Sequence, residues 1–374
     1  MTLKIFNRLG LFFFLVLFLG CASAGDADIK AKKPLLGLKG NVSGSSIVYI
    51  DTHNHLHGRF ASHSPFGDLD YEGAAGVALK AMNKMGIKKM FIMPPPFSPD
   101  HPNRYTFEDL LGPVKRYPDR FAFLGGGGTL NVMIHQAVRD GMTSPEVKNK
   151  FGKKAVEILS KGAIGFGEMA AEHLSLNHDH PHEYAPPDHP LFLLLADIAA
   201  RHNVPIDIHM EAVPEDMPLP KNRRLRSGRN PDVLKANIPA FERLLRHNRK
   251  ARIVWAHVGW CNTGQRTVPL IANLLKKHPN LYMSFKISPR DSFPENCPIE
   301  RGCGLKAEWI NLIRQFPERF VIGSDQFYLS PRMHGQIGPR SVEPTHRFLS
   351  LLPPDLAHKV GFENAERLFN LHVR

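Results

Sequence analysis

Cysteine is scarce in this chain, with four among 374 residues. Cys297 and Cys303 are the pair that could close a short surface loop in an oxidising compartment, and Cys261 is then left unpaired. Beyond the first twenty-odd positions no apolar run is long enough to span a bilayer. No G-x-G-x-x-G follows the first apolar run of the folded part, which weighs against a dinucleotide-binding sheet. The Gly125–Gly128 run lacks the Lys-Ser/Thr ending of a phosphate-cradling loop, so a tight turn is the preferred reading. The net charge is +13, but Lys and Arg are spread along the chain, with one dense run at Lys221–Arg229. Without a basic groove interleaved with aromatics, this charge gives no support for a nucleic-acid partner.

What is there begins with a targeting segment. Lys4 and Arg8 form a basic stretch, Leu9–Leu19 an apolar one, and small residues follow at Gly20–Ala24. Gly20-Cys21 resembles a bacterial lipoprotein cleavage site, departing from it at Phe18, where such sites usually carry Leu. Ala22-Ser23-Ala24 would instead suit ordinary signal peptidase and a soluble secreted product. The lipoprotein reading is preferred: Cys21 is lipidated and anchors the protein to a membrane, in the periplasm or at the outer membrane or surface of a bacterium. Residues 1–24 are read as the signal region, of lipoprotein or ordinary type, and 25–46 as a flexible, polar tether.

From residue 47 the chain settles into a beat. Short apolar runs recur about every forty residues, the period of strands alternating with helices. They are Ile47–Asp51, Lys89–Met93, Phe121–Leu124, Ala163–Glu168, Pro205–His209, Arg252–His257, Leu281–Lys286 and Arg319–Asp325. Amphipathic helical patterns lie between them, at Ala74–Met85, Phe107–Val114, Glu146–Leu159, Leu191–Asn203, Ile238–Asn248, Val268–His278 and Lys306–Gln315, with Glu363–Asn370 last. Near-continuous apolar strands are expected of a parallel sheet covered on both faces. Eight such units predict an α/β fold, a single (β/α)8 barrel of the TIM type over residues 47–374.

In that architecture chemistry belongs at the C-terminal ends of the strands. Five runs end in a potential metal ligand: Asp51-Thr52-His53-Asn54-His55, Gly167-Glu168, Ile208-His209, Ala256-His257 and Ser324-Asp325. Histidines at i and i+2 of a strand point to the same side, so His53 and His55 can both face the barrel axis. Four histidines and two carboxylates converging on one mouth have no packing rationale. Nitrogen and oxygen donors suit a divalent metal, Zn first, with Mn, Fe or Ni also compatible.

This arrangement resembles the amidohydrolase superfamily, and within it the amidohydrolase-related branch. The matching pieces are Asp51-x-His53-x-His55, Glu168, His209, His257 and Asp325 in that strand order, with Asn364-Ala365-Glu366-Arg367-Leu368-Phe369 similar to the branch's last helix. The resemblance implies that His53, His55 and Asp325 ligate one metal. If two ions bind, Glu168 bridges them, and His209 with His257 hold the second. If one binds, His209 joins the first set and His257 acts beside it on substrate or water. A bound metal lowers the pKa of water and polarises a scissile carbonyl or phosphoryl group, and Asp325 would take the proton and pass it on. Many binuclear members carry a carboxylated lysine on the fourth strand. Glu168 stands there instead, which favours two ions.

Lys286, at the end of the seventh run, is a candidate for an anionic group of a small-molecule substrate, or else its stem packs while the ammonium reaches solvent. Trp260, Arg290 and Tyr328 follow ligand-bearing or neighbouring strands and are candidate substrate contacts. The His-rich tract His173–His182 is expected to be a solvated loop rather than a lid or metal trap. The leading functional reading is metal-dependent hydrolysis of an ester, lactone or amide of a small anionic compound. Metal-dependent non-oxidative decarboxylation is the alternative, and a lipoprotein that binds ligand without turnover stands lower.

Overall fold

The computed structural model describes residues 47–60, 68–102, 104–176, 181–221, 227–288, 293–300, 304–333 and 341–373. The expected signal segment, Cys21 and the tether lie outside these residues, as do Arg290, Cys303 and most of the Lys221–Arg229 run. Ser46–Arg374 forms one unit.

Eight parallel strands pair in a ring: β1 (Tyr49–His57), β2 (Ile87–Ile92), β3 (Phe121–Phe123, continued after Leu124 by Gly125–Gly126), β4 (Phe166–His173), β5 (Pro205–Met210), β6 (Arg252–Val258), β7 (Leu281–Phe285) and β8 (Phe320–Ile322). Closure depends on two places. The two halves of β3 pair with different neighbours, Phe121 with Met90 of β2 and Gly125 with Phe166 of β4. Ile322 of β8 then returns to Asp51 of β1. The glycines after β3 permit close packing: a Cβ on Gly127 would fall 2.2 Å from the Pro94 carbonyl oxygen, and one on Gly128 1.9 Å from that of Tyr105.

The helices are α1 (Tyr71–Met85), α2 (Leu111–Arg116), α3 (Leu130–Asp140), α4 (Pro145–Ser160), α5 (Pro190–His202), α6 (Ile238–His247), α7 (Val268–Lys277), α8 (Ala307–Gln315), α9 (Val342–Leu351), α10 (Pro354–His358) and α11 (Asn364–Phe369). Local chemistry sets their ends. Asp70 accepts from Gly73 N at 2.8 Å to cap α1, which stops at left-handed Gly86. Ser144 caps α4, and Pro145 opens its first turn. In α6 the residues Ile238, Phe241, Leu244 and Leu245 are buried, the i, i+3, i+4 stripe that packs a helix on a sheet. One apolar cluster fills the space between strands and helices. A second joins Ile50, Phe91, Val254 and Val321 to Leu368 and Phe369, so α11 closes one end of the ring, with Phe91 and Phe369 rings 4.7 Å apart. Among the described residues no helix is long and apolar enough to cross a membrane.

Three differences from the sequence reading have physical causes. Helices α3, α9 and α10 were not anticipated, because they share connections in which a single helix was expected. The fourth strand continues past Glu168 to His173, because Glu183–Tyr184 pairs antiparallel with its end and extends it. The eighth run is followed at once by a further strand, Gln326–Leu329, which also pairs with β1.

The β1–β8 seam is held by buried polar contacts. Thr52 Oγ1 donates to the Ile322 carbonyl at 2.7 Å, and Ser324 N and Oγ lie 2.9 and 2.5 Å from the Asp51 carboxylate. Ser324→Ala should lower stability by about 1–3 kcal/mol, since it strips a donor from a buried carboxylate. Urea unfolding should show a lower midpoint with an unchanged slope; an unmoved midpoint would mean that the seam does not depend on this hydroxyl.

Candidate metal centre

His53 and His55 leave β1 on the same side and are completely buried. Each has one ring nitrogen occupied from behind. His55 Nδ1 lies 2.8 Å from the Met93 carbonyl oxygen, and His53 Nδ1 lies 3.1 Å from Asp207 Oδ1. Such contacts turn the remaining nitrogen inward and set the tautomer. His55 Nε2 then faces Asp325 Oδ1 at 3.2 Å and Glu168 Oε2 at 3.4 Å, and His53 Nε2 faces Glu168 Oε2 at 3.4 Å.

Glu168 is the centre of the arrangement. Its Oε2 is turned to His53 and His55, and its Oε1 to His209 Nδ1 at 2.9 Å and His257 Nε2 at 3.1 Å. Three overlapping groups result, His53–His55–Glu168, Glu168–His209–His257 and His53–His257–Asp325, each with donor atoms within 4.8 Å of one another. Among the described residues, both ring nitrogens of His53, Nε2 of His55 and His209 and Nδ1 of His257 are buried with no well-directed hydrogen bond. Buried polar atoms of this kind call for a partner. The donor set and these nitrogens fit a divalent metal, with His53, His55, Glu168, His209, His257 and Asp325 available to hold it.

Two of these residues take a conformation that side chains usually avoid. His257 and Asp325 both have positive φ, 67° and 53°, where their strands end. Neighbours over-determine both. Arg266 is buried and donates to the carbonyls of Ala256 and His257, each at 2.8 Å, and to that of Met210. Asp325 N donates to the His53 carbonyl at 2.8 Å. Gly323 is required behind His53, where a Cβ would come within 2.9 Å of the His53 Cβ.

Charge and burial compete throughout. Burial alone would depress the His53 imidazolium, but the Asp207 and Glu168 carboxylates outweigh it and hold its pKa well above the ordinary value. His55 is raised in the same way by Asp325 and Glu168. Burial would raise Glu168 and Asp325, yet surrounding imidazoles hold the first, and chiefly Lys286 the second, well below the usual carboxylate range. Burial dominates at His257, pushing it well down and keeping it neutral.

The centre opens into a cavity of about 370 Å³. Lys286 and Trp260, both expected near substrate, line it. The Lys286 ammonium neither packs away nor reaches open solvent: it pairs with Asp325 Oδ2 and sits 3.9 Å from the Trp260 ring centroid. Tyr328 corrects the sequence reading. It is buried in the apolar core and does not line the cavity, because alternate residues of Gln326–Leu329 face opposite ways. Phe327 lines the cavity instead, its ring 4.4 Å from that of His55. Arg290 falls outside the described residues.

The His-rich tract is also revised where it is described. His173 packs edge-on to His209 with ring centroids 4.2 Å apart and faces Glu183 at 3.4 Å, while His182 pairs with buried Glu172 at 2.8 Å. His178 and His180 lie outside the described residues. Sequence reasoning missed Asp207, Arg266 and Glu183. Asp207 had a usable signal, since it stands two residues before His209 on one strand and so shares its face. Arg266 and Glu183 lie in connections, where no periodicity points.

The Amidohydrolase family model matches residues 163–371. No curated protein matches the chain. Among solved structures, a probable 2-pyrone-4,6-dicarboxylic acid hydrolase from Acinetobacter baumannii, with citric acid bound, is 14% identical with a TM-score of 0.46, covering 86% of this chain and 99% of that one. A like-named protein from Pseudomonas putida is 16% identical, TM-score 0.47, over 87% and 98%. A 2,6-dihydroxybenzoate decarboxylase complexed with 2,6-dihydroxybenzoate is 14% identical, TM-score 0.44, over 87% and 99%.

Metal binding here should be coupled to proton release. His53 and His55, with raised pKa values, hold protons that a metal must displace. Without metal they stabilise the fold below about pH 6.5, and that stabilisation is lost as pH rises through their raised values. Zinc affinity of the metal-free protein should therefore climb between pH 6 and 8, with protons released in calorimetry run in two buffers of different ionisation enthalpy. A pH-independent affinity would contradict these protonation states.

Proposed function

The chain belongs to the Amidohydrolase family, and from that premise we propose that it is a metal-dependent hydrolase acting on an ester, lactone or amide bond of a small anionic compound. The observation that supports hydrolysis is Glu168, one carboxylate oxygen turned to His53 and His55 and the other to His209 and His257. If two ions bind, His53, His55 and Asp325 would hold one and His209 with His257 the other, and Glu168, which faces both pairs of histidines, would serve both.

A divalent metal held there supplies Lewis acidity toward a carbonyl oxygen and toward water. The chain's own residues do the rest. Asp325, ionised and held by Lys286 and the His53 amide–carbonyl contact, accepts a proton from the attacking water at its carboxylate. Neutral His257 presents a ring nitrogen without becoming a charge that must be solvated. Lys286, over Trp260, places positive charge at the cavity wall for an anionic group once substrate competes for its contact with Asp325. Trp260 and Phe327 exclude water from the same wall.

A panel of lactones, esters and amides run on metal-replete protein tests this. Chelation should abolish turnover and zinc should restore it. Asp325→Asn should lower kcat by about 10²-fold or more while metal is partly retained. Two ions per protein are expected; a firm stoichiometry of one would remove the bridging role. Carbon dioxide release from an aromatic or unsaturated acid, with no hydrolysis, would put decarboxylation in its place, and ligand binding unchanged by Asp325→Asn without any turnover would favour a binding protein.

We also propose export and lipidation at Cys21, a reading that rests on residues 1–24 alone. Labelling of cells with a palmitate analogue should mark the wild type and not Cys21→Ser; equal labelling would overturn Cys21 as the site, and none in either would favour the soluble secreted form.

A further inference from the structure

Among the titratable groups that line the cavity outside the metal centre is Glu183. Glu183 belongs to a two-residue strand, Glu183–Tyr184, laid antiparallel on the end of β4. It lines the cavity yet is only 3% exposed. One carboxyl oxygen, Oε2, faces His173 Nδ1 at 3.4 Å. The other, Oε1, is buried with no hydrogen-bond partner among the described residues. A buried carboxyl oxygen without a partner in a substrate-sized cavity is costly unless something arrives to meet it.

Its position in the ring matters. Glu183 is paired with His173 at the end of β4, and Asp325 follows β8. Strands four apart in a ring of eight stand across it from each other, so the two carboxyl groups approach the cavity from opposite walls. His173 links Glu183 to the centre by its edge contact with His209. Leu176 and Pro181 line the same cavity.

We propose that Glu183 is a second catalytic group: a carboxylic acid that donates its proton to the leaving oxygen or nitrogen while Asp325 takes one from water. This rests on the hydrolase reading. The balance is complete. Water's oxygen bonds to the acyl carbon as the bond to the leaving atom breaks, and the electron pair of that bond goes to the leaving atom, which Glu183 protonates. The cycle ends with Asp325 protonated and Glu183 ionised, and exchange with solvent through the open cavity resets both. Two groups of opposite protonation on opposite walls are what acid–base catalysis of a bond with a poor leaving group requires.

The surroundings of Glu183 agree. Burial pushes its carboxyl up to about 7, against the pull of His135 from α3, of His209 and of His182, and with Glu168 adding to the rise. His173 of β4 faces it as well and is held well down by burial. A carboxyl so placed carries its proton at and below neutral pH and loses it above.

The test uses metal-loaded full-length protein and two esters with the same acyl group, one releasing an alkyl alcohol and the other a nitrophenol. For the wild type, kcat for the alkyl ester should fall above about pH 7 while the nitrophenyl ester shows no such fall. Glu183→Gln should cost the alkyl ester about 10²-fold or more and the nitrophenyl ester less than about threefold. Infrared difference spectra of wild type against Glu183→Gln should show a protonated carboxyl at pH 6 that disappears by pH 8. Equal losses on both esters, an unaltered alkyl ester, or a carboxylate already ionised at pH 6 would each overturn the assignment and leave the hydrolase reading standing. A wild type that cleaves neither ester, nor any lactone or amide, would overturn the hydrolase reading, and this assignment with it.

Discussion

A carboxylate buried among four imidazoles governs this structure. Glu168 could not stay ionised at its depth without His53, His55, His209 and His257 around it, and those imidazoles could not be packed so closely without an anion between them. Each side of that balance comes from a different strand. The ring must therefore close in one register, because a shift of one residue on any strand would turn its donor to the helical side. Closure, in turn, depends on the split third strand and on the Asp51–Ser324 seam.

Polar groups behind the donors hold them in place. Asp207 and the Met93 carbonyl orient the two histidines of β1. Arg266 grips three carbonyls at the ends of β5 and β6, where His257 is forced into left-handed backbone. Asp325 is in the same strained region and is tied back to β1 through its amide. Strain at two site residues, each over-determined by neighbours, is the pattern of a pre-organised site. The cavity then divides by wall: Lys286, Trp260 and Asp325 toward β6–β8, and His173 at the end of β4 with Glu183 paired to it.

Much of this was legible in the chain. The eight apolar runs, the helical stripes of α1 and α4–α8, and the strand-end positions of six polar residues all follow from periodicity, because period 2 and period 3.6 are local properties. The i, i+2 spacing of His53 and His55 was enough to put both on one side. Failures fell where local pattern carries no information. Tyr328 looked like a mouth residue because it follows β8, yet it belongs to a new strand whose alternation sends it into the core. His173 and His182 looked like solvent-exposed histidines, but each finds a buried glutamate supplied by the far end of its own loop.

The sequence by itself determined the class of architecture and the chemical character of the mouth, since strand period, helix period and residue type are all written one residue at a time. Only the tertiary structure decided how the donors are shared. Which oxygen of Glu168 faces which pair of histidines, that Lys286 rests on Asp325, and that Glu183 stands across the ring from it are relations between strands. They depend on ring closure, which brings together residues more than a hundred positions apart, and no local pattern records the distance at which such residues meet.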